Sequence, residues 1–501
     1  MIPQNTFVIL KTLQKDDLKK LNNFINSPYH NTNKALITLF NELNKFHPQY
    51  SNPKLTYEYL YKKLYPENKF SDRTIKNRLT EFSQLLRNFL AQERLKKSPR
   101  INEKLLIQEL QKRRSFVLSN KNVQWSKKRN SENPKICPDF FLHQYDMEEL
   151  FHYNSLQLSD VQKYEKIGFS ARKAAPLIAF FFSTYFVHLS EHITYNQTTN
   201  FNNSDNNNIL DEFAKSFDSK AFMNYLEKTD DKYFIYIKAY YLTYKIKIDK
   251  DVTGVYRELK KIFIDHASEF EETDTYMLWA VLGETLYLKL IPQDVAHYRR
   301  EVFELNDYFL KLNIYPARNE EYFTTQVFEN IFAAAIICNE YEWSENFIIK
   351  YGQMLHPETR ENQVNYCLGV LNFKLKKYEK SLEHIGKVNY SDIIMKINLR
   401  FYTLLNYIEM KHYESALSLI DSSKHFSSSN EKIPKFLLGH INTSLRVFKR
   451  IILAEAGVKE LDYTVLEEAK KAQRFFQKSY AMEKMKVIFE KQERNFSHFK
   501  G

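Results

Sequence analysis

The stretch YEKSLEHI, from Tyr378 to Ile385, is followed by YESALSLI, from Tyr413 to Ile420. The two stretches begin 35 residues apart and share Tyr-Glu, a small residue, Leu and a final Ile in the same order. On a helix, Leu and the Ile three residues later continue one apolar stripe, and the small residue allows a neighbouring helix to approach. A period near 34 residues therefore indicates a helical hairpin that is repeated along the chain.

Further units of this kind lie upstream. The stretch YEWSENFI, Tyr341 to Ile348, keeps Tyr, Glu, the small residue and Ile but has Glu345 where Leu is expected. An earlier helix shows the spacing W-x2-L-G-x2-L at Trp279, Leu282, Gly283 and Leu286. From about residue 275 to 430 the chain resembles the tetratricopeptide family. That resemblance implies stacked helix–turn–helix units with a groove lined by the first helix of each unit.

Composition agrees with an all-α chain. Only 9 of 501 residues are Gly, whereas 39 Phe and 34 Tyr supply large side chains for a core. We expect a small N-terminal helical domain followed by a tetratricopeptide-like α-α superhelical solenoid, a plan similar to that of bacterial helical-repeat families with no established activity. The expected divisions are a basic helical domain over 1–97, with helix-turn-helix character, a basic helical connector over 98–135, the solenoid over 136–460 with an Asn-rich loop at 194–208, and a charged capping helix over 461–501.

The N-terminal domain is predicted to contain four helices. The first three end at Pro28, Pro48 and Pro66, because proline cannot continue a helix. The fourth begins after Ser71, a favourable N-cap. Its apolar residues are spaced 4, 3, 4 and 3 apart, which places them on one stripe: Ile75, Leu79, Phe82, Leu86 and Phe89. A single helical stretch is then predicted from about residue 101 to 129.

Positive charge is concentrated near the N-terminus. The formal net charge is +12, and residues 1–135 hold 27 Lys+Arg against 11 Asp+Glu, whereas the remainder holds 46 against 50. Such asymmetry indicates either a polyanion-binding region or a solvated lysine-rich surface. The candidate nucleic-acid contacts are Arg73, Lys76, Arg87 and Arg94 on one flank of the fourth helix, and Lys127, Lys128 and Arg129.

No motif in the sequence predicts an enzyme. The phosphate loops GxxxxGK[ST] and GxGxxG, the zinc motif HExxH and the nucleophile motif GxSxG are all absent. His188 and His192 are four residues apart but have no third metal ligand nearby, and His297 is explained by a surface or packing role. We therefore expect no catalytic residue, no cofactor and no metal.

The sequence suggests a cytoplasmic protein without a membrane segment. Cys137, Cys338 and Cys367 lie far apart and form no CxxC pair, which suits a reducing compartment. The N-terminus lacks the basic region and cleavage site of a signal peptide. The most apolar run, Leu177 to Leu189, is too short to span a bilayer.

Two functions are compatible with this architecture. The first is a non-enzymatic scaffold that binds a protein or peptide partner in the solenoid groove, with Tyr366, Asn372, Arg400 and Tyr407 as the candidate contacts on first helices. The alternative is a nucleic-acid-binding regulator, in which the basic N-terminal part contacts phosphates and the solenoid senses a partner or mediates oligomerisation.

Overall fold

The structure is a computed structural model that describes residues 4–132, 134–158, 168–198, 209–229, 233–315, 321–389, 393–430, 433, 435–472 and 475–498. Regular secondary structure in these residues is helical throughout, so the predicted all-α class is confirmed; two isolated β-bridges join Ile136 to Phe270 and Phe323 to Leu355. The chain divides into two compact units, one of residues 1–134 with 138–181 and one of residues 135–137 with 182–501. The boundaries expected near residues 97, 135 and 460 stay predictions, and most of the Asn-rich loop (199–208) lies outside the described residues.

The helices of the described part of residues 4–198 are α1 (Gln4–Thr12), α2 (Lys15–Asn26), α3 (Lys34–Asn44), α4 (Tyr57–Leu64), α5 (Asp72–Lys96), α6 (Pro99–Lys112), α7 (Phe116–Glu132), α8 (Pro138–Gln157) and α9 (Phe169–Thr198). Helix α1 is not predicted from the sequence, because nine residues are too few to show a clear apolar period. We call α1 to α5 the N-terminal module. Its other four helices, α2 to α5, match the sequence prediction closely.

Helix α5 organises the N-terminal module. Helices α1 to α4 each contact it. Its apolar stripe is buried as the spacing predicts: Ile75, Leu79, Phe82, Leu86 and Phe89. Its N-terminus is capped by Ser71, whose hydroxyl oxygen accepts a hydrogen bond from the Thr74 amide at 3.3 Å. The apolar stripe of α5 is therefore buried inside this module, and its opposite side faces solvent.

Helices α6, α7 and α8 form a three-helix arrangement with polar layers inside it. The single helix predicted over residues 101–129 is in fact two helices, because the chain turns at Arg113 to Ser115 with Arg114 in the left-handed region (φ 58°). No Gly or Pro marks this turn in the sequence. In one buried layer, Gln111 donates to Asn154 at 2.9 Å and the Asn154 amide donates to Ser119 at 2.9 Å.

In residues 209–498 the described helices are α10 (Ile209–Ser216), α11 (Ser219–Lys228), α12 (Phe234–Ile248), α13 (Thr253–His266), α14 (Glu272–Thr285), α15 (Val295–Lys311), α16 (Thr325–Ile337), α17 (Tyr341–Gly352), α18 (Pro357–Lys374), α19 (Tyr378–Gly386), α20 (Ile393–Glu409), α21 (Tyr413–Ser428), α22 (Lys435–Glu455), α23 (Tyr463–Lys471) and α24 (Lys478–His498). A π-helical segment, Leu286–Leu290, continues α14. From α11 onward each helix contacts the next one along the chain.

The repeated sequence corresponds to a repeated turn. Helices α17, α19 and α21 begin at Tyr341, Tyr378 and Tyr413, the first residues of the three related stretches. The residue two positions before each tyrosine is left-handed: Asn339 (φ 61°), Lys376 (φ 60°) and Lys411 (φ 59°). The amide that follows bonds back five residues in each case, from Glu340 to Ala335, from Lys377 to Asn372 and from His412 to Tyr407. Each first helix therefore ends in the same Schellman-type turn.

The small residue of each stretch lies at a helix–helix contact. Ser344, Ser381 and Ala416 are fully buried. The Ser381 hydroxyl donates to the Gly369 carbonyl of α18 at 2.7 Å and accepts from the Asn406 amide of α20 at 3.0 Å. Ser381 thus joins three consecutive helices through one oxygen atom, which explains why this position is small and polar.

The C-terminal segment also differs from its prediction. One charged capping helix is predicted within residues 461–501, but α23 ends at Lys471 and α24 begins at Lys478, with Gln477 in the left-handed region (φ 56°). Helix α24 packs against α22. Its buried side chains are Ala481, Met485, Ile488 and Phe489.

Candidate nucleic-acid and partner interfaces

Four cations of α5 form what we call the basic face: Arg73, Lys76, Arg87 and Arg94. All four are exposed. At about 100° per residue they fall within about 60° of one another around the helix. Arg73 and Arg94 are separated by 21 residues, which is about 31 Å along the axis. The flank predicted from the sequence is therefore a continuous exposed surface.

The arginines of the basic face are not neutralised locally. Lys76 pairs with Asp72 at 2.6 Å, and this hydrogen bond raises the pKa of Lys76. Among the described residues, by contrast, Arg73, Arg87 and Arg94 have no carboxylate within ion-pair distance. Three guanidinium groups are therefore available to an anionic ligand.

Uncharged polar side chains lie between these arginines on the same side of α5. Asn77, Thr80, Gln84 and Asn88 are exposed. The Gln84 amide donates to the Asn88 carbonyl oxygen at 3.1 Å, and the Thr80 hydroxyl donates to the Lys76 carbonyl at 2.9 Å. Charge patterning in the sequence singles out only the cations; the amides become apparent once α5 is seen as one long exposed helix.

The second group of predicted cations, on α7, is largely engaged inside the fold. Lys127 pairs with Glu148 at 2.8 Å and its ammonium lies 4.6 Å from the Phe151 ring centroid; burial lowers the pKa of Lys127. Arg129 pairs with Glu103. Lys128 is exposed and pairs weakly with Glu132 at 3.7 Å.

The predicted partner contacts lie on α18 and α20 and are all half-buried. Tyr366 meets the Tyr402 ring edge-on at 6.3 Å, and the Asn372 amide donates to the Leu368 carbonyl of its own helix at 2.8 Å. Tyr407 packs against the hydrophobic core cluster of the C-terminal helices. These three side chains therefore contribute to the packing of the hairpins themselves.

Arg400 is the one of these four predicted contacts that carries a charge. Its guanidinium lies 4.7 Å from the Phe426 ring centroid and within 3.3 to 3.4 Å of the Ser422 and Ser423 hydroxyls. Burial lowers the pKa of Arg400. No carboxylate pairs with it among the residues that the structure describes. A small cavity beside it is lined by Ile397, Phe401, Ser427, Ile441 and Leu445.

A larger cleft of about 340 Å³ lies along α13 and α15 and is not predicted from the sequence. Its cations are matched by carboxylates of the same region. Lys260 pairs with Glu301 at 2.7 Å, and Lys311 pairs with Asp307 at 2.7 Å. Because these cations already pair with carboxylates, the cleft is less suited to bind an anion than the site around Arg400 is.

One buried cluster superficially resembles a nucleophilic site. The Ser126 hydroxyl donates to Glu103 at 2.7 Å and lies 3.0 Å from Nε2 of His143. Burial lowers the pKa of His143 to about 4. In a catalytic triad the carboxylate binds the other ring nitrogen, whereas here carboxylate and imidazole meet the same hydroxyl. Ser126 and His143 are buried, so the cluster is best explained as a polar layer of the helix packing.

Metal-binding and membrane-spanning features can be assessed only where the structure describes the chain. There, no group of three or more His, Cys, Asp or Glu side chains is arranged to hold a metal ion. His188 pairs with Glu191 at 3.0 Å and His192 with Asp211 at 3.3 Å, so each imidazole has its own carboxylate. None of the described helices has the length and apolarity needed to cross a membrane.

Comparison with known proteins gives no relative for this chain: no family model matches it, and neither a curated protein nor a solved structure shows significant similarity. The chemistry of the candidate sites themselves is therefore the basis for a function.

Proposed function

We propose that this protein is a non-enzymatic helical-repeat scaffold that binds an acidic segment of a partner protein, with Arg400 as a principal contact. The proposal rests on one observation: the Arg400 guanidinium is half-buried and has no carboxylate partner among the described residues. A charge that is partly removed from water is stabilised by an opposite charge, and a partner carboxylate would supply it.

The repeated turns support this proposal at the level of architecture. The same left-handed turn precedes α17, α19 and α21, so the chain changes direction in the same way after each first helix. Repetition of one hairpin geometry is what a tetratricopeptide-like solenoid requires, and such solenoids bind partner segments along their first helices. Arg400 lies on α20, the first helix of the last of these three hairpins.

The proposal is tested by replacing Arg400 with Gln and measuring the affinity of the full chain for a panel of acidic and basic helical peptides. We expect acidic peptides to bind the wild type and to lose roughly tenfold or more in affinity to Arg400→Gln, because removal of one member of a partly buried pair is costly. The matched control is Arg446→Gln, which removes an exposed arginine of α22 that already pairs with Glu468. Equal affinities of wild type and Arg400→Gln, or no acidic binder at all, would contradict the proposal.

A second function is favoured by the basic face of α5: binding of nucleic acid through residues 1–135, as a regulator. Three exposed arginines along one helix, none of which pairs with a carboxylate in the described part of the chain, are suited to phosphate groups. The test is a salt titration of the full chain against labelled nucleic acids. Each phosphate contact predicts a fall of roughly 0.9 log units in affinity per log unit of salt on duplex DNA. An affinity for nucleic acid that does not change with salt, or the absence of binding at low salt, would contradict this second function.

A further inference from the structure

The exposed side of α5 carries two kinds of polar side chain, arginines and uncharged polar residues. Arg73 and Arg94 stand near its two ends, and the exposed Asn77, Thr80, Gln84 and Asn88 occupy the middle. We propose that α5 lies in the major groove of duplex DNA, where the arginines contact phosphates and the amides contact base edges. This inference rests on the nucleic-acid-binding function proposed above and specifies its substrate and binding mode.

The dimensions of α5 fit that groove. An α-helix with its side chains is about 10–12 Å across, and the major groove of B-DNA is about 12 Å wide. The opposite side of α5 is committed to the core of the N-terminal module, with Leu79, Phe82 and Leu86 fully buried. The helix is thus held rigidly by α1 to α4 while its polar side remains open.

The amides supply the groups that read a base pair. Asn and Gln are suited to the acceptor N7 and donor N6 of adenine in the major groove. Because the Gln84 amide donates to the Asn88 oxygen, the Gln84 oxygen and the Asn88 amide group remain as an adjacent acceptor and donor. That pair is complementary to the adenine edge. Asn77 lies seven residues before Gln84, two turns along the same side, and can address a second base.

The cations of the face favour phosphate over other anions. Residues 1–135 contain 27 cations of which 8 are Arg, yet three of the four cations on the basic face are Arg. A merely solvating surface on this lysine-rich chain would be expected to carry lysine. The planar guanidinium binds phosphate oxygens in a bidentate manner, which an ammonium group cannot do.

Other polyanions fit this surface less well. Single strands are held by stacking on aromatic side chains, and the exposed positions of α5 carry none. Duplex RNA has a deep, narrow major groove that excludes a helix. An anionic membrane requires apolar side chains that can insert, whereas Leu90 is the one large apolar side chain exposed on α5 among the described residues.

The first experiment measures binding of the full chain to a labelled random-sequence DNA duplex, single-stranded DNA and duplex RNA across a range of salt. The variant Arg73→Gln/Arg87→Gln/Arg94→Gln is compared with Lys19→Gln/Lys96→Gln/Arg113→Gln. The second triple removes the same charge from exposed cations that are already ion-paired and lie off the face. We expect duplex DNA to bind best, and only the first triple to reduce the salt slope, by roughly 0.9 log units for each phosphate that is no longer neutralised.

The second experiment tests base contacts. Duplexes are selected from a random library with the wild-type chain, and binding of selected and unselected DNA is then measured for Asn77→Ala/Gln84→Ala. We expect the preference for selected DNA to fall roughly tenfold or more, with binding to unselected DNA nearly unchanged. The control, Asn22→Ala/Asn26→Ala, removes two exposed amides of α2 and should leave the preference intact.

The outcomes separate the inference from the function on which it rests. Absence of binding to every nucleic acid overturns both. Equal or tighter binding to single strands or to RNA keeps the function and overturns the major-groove assignment. Equal losses in the two charge triples show that net charge alone is responsible, which also overturns that assignment. A selected preference that survives Asn77→Ala/Gln84→Ala, or no selected preference at all, overturns the base contacts.

Discussion

Gly369 shows at the scale of one residue how closely the hairpins are packed. A Cβ atom at this position would lie 2.8 Å from Cγ1 of Ile385 and 3.5 Å from the carbonyl oxygen of Ser381. Cγ1 is only two bonds from the backbone of α19, so it cannot move aside as the end of a long side chain can. We expect Gly369→Ala to destabilise the protein by about 1–3 kcal/mol, although Ala is the better helix former.

The matched control for this prediction is Gly439→Ala in α22, where an added Cβ meets nothing within 4 Å. There the higher helix propensity acts alone, and a gain of about 0.5–1 kcal/mol is expected. Urea unfolding midpoints of the two variants should therefore move in opposite directions from the wild type. Shifts of the same sign would show that α18 and α19 can separate to accommodate a methyl group.

At the scale of elements, α24 is attached by a group of charges as well as by apolar packing. The Lys484 ammonium lies 2.8 Å from Glu409 of α20 and 3.3 Å from Glu455 of α22, and the Tyr480 hydroxyl donates to Glu409 at 2.7 Å. Burial alone would raise the pKa of Glu409, but its hydrogen bonds to Lys484 and Tyr480 lower it. The cation thus bridges two largely buried carboxylates on different helices.

We expect Lys484→Met to destabilise the docking of α24 by about 2–4 kcal/mol, between the cost of an exposed and of a fully buried pair, because it leaves two partly buried carboxylates without their cation. Lys486→Met is the control: Lys486 is exposed and lies 4.0 Å from Glu490 of its own helix. An exposed pair of this kind contributes at most about 1 kcal/mol. Hydrogen exchange of the α24 amides should accelerate in the first variant and not in the second; equal protection in both would mean that apolar packing alone retains the helix.

The helices that could be predicted are those with their own local signals. The repeated stretches predicted the starts of α17, α19 and α21, and Ser71 marked the start of α5, because caps and apolar periods are local properties. The breaks after α6 and after α23 were missed. Each is a left-handed turn at a residue other than Gly, Arg114 and Gln477, and only tertiary packing selects that conformation there.

The candidate sites also divide into those with a local sequence signal and those that depend on tertiary packing. The basic face was predictable because helical periodicity alone aligns Arg73, Arg87 and Arg94. The engagement of Lys127 and Arg129 was not, since their carboxylates, Glu148 and Glu103, belong to other helices 21 and 26 residues away. Pairing at that distance is decided by which helices pack together. The same holds for the half-burial of Arg400 against Phe426.

At the scale of the whole molecule, the aromatic composition makes stability sensitive to alkaline pH. The chain has 34 Tyr, and burial raises the pKa of several of them in both units: to about 12 for Tyr50 and Tyr185, and above the usual value for Tyr240, Tyr256 and Tyr480. Below the unfolded pKa near 10 these groups are protonated in both states, so their contribution to stability is complete. Above it the unfolded chain releases protons that the folded chain retains, and stability falls as pH rises towards the folded pKa values.

Each such tyrosine removes up to about 1.4 kcal/mol of stability per pH unit in this range, so several together exceed the margin of a typical domain within about two units. We expect the buried tyrosines to ionise, followed by absorbance at 295 nm, in the same transition in which far-UV circular dichroism reports the loss of helix. Tyr256→Phe removes one ionisable hydroxyl, and Glu301, which accepts its hydrogen bond, keeps its ion pair with Lys260. When the stability of each protein is expressed relative to its own value at pH 7, the stability of this variant should therefore fall less steeply with rising pH than that of the wild type. Complete tyrosine ionisation with the helices intact at pH 12, or helix loss well below pH 10, would show that the aromatic core does not control the alkaline limit.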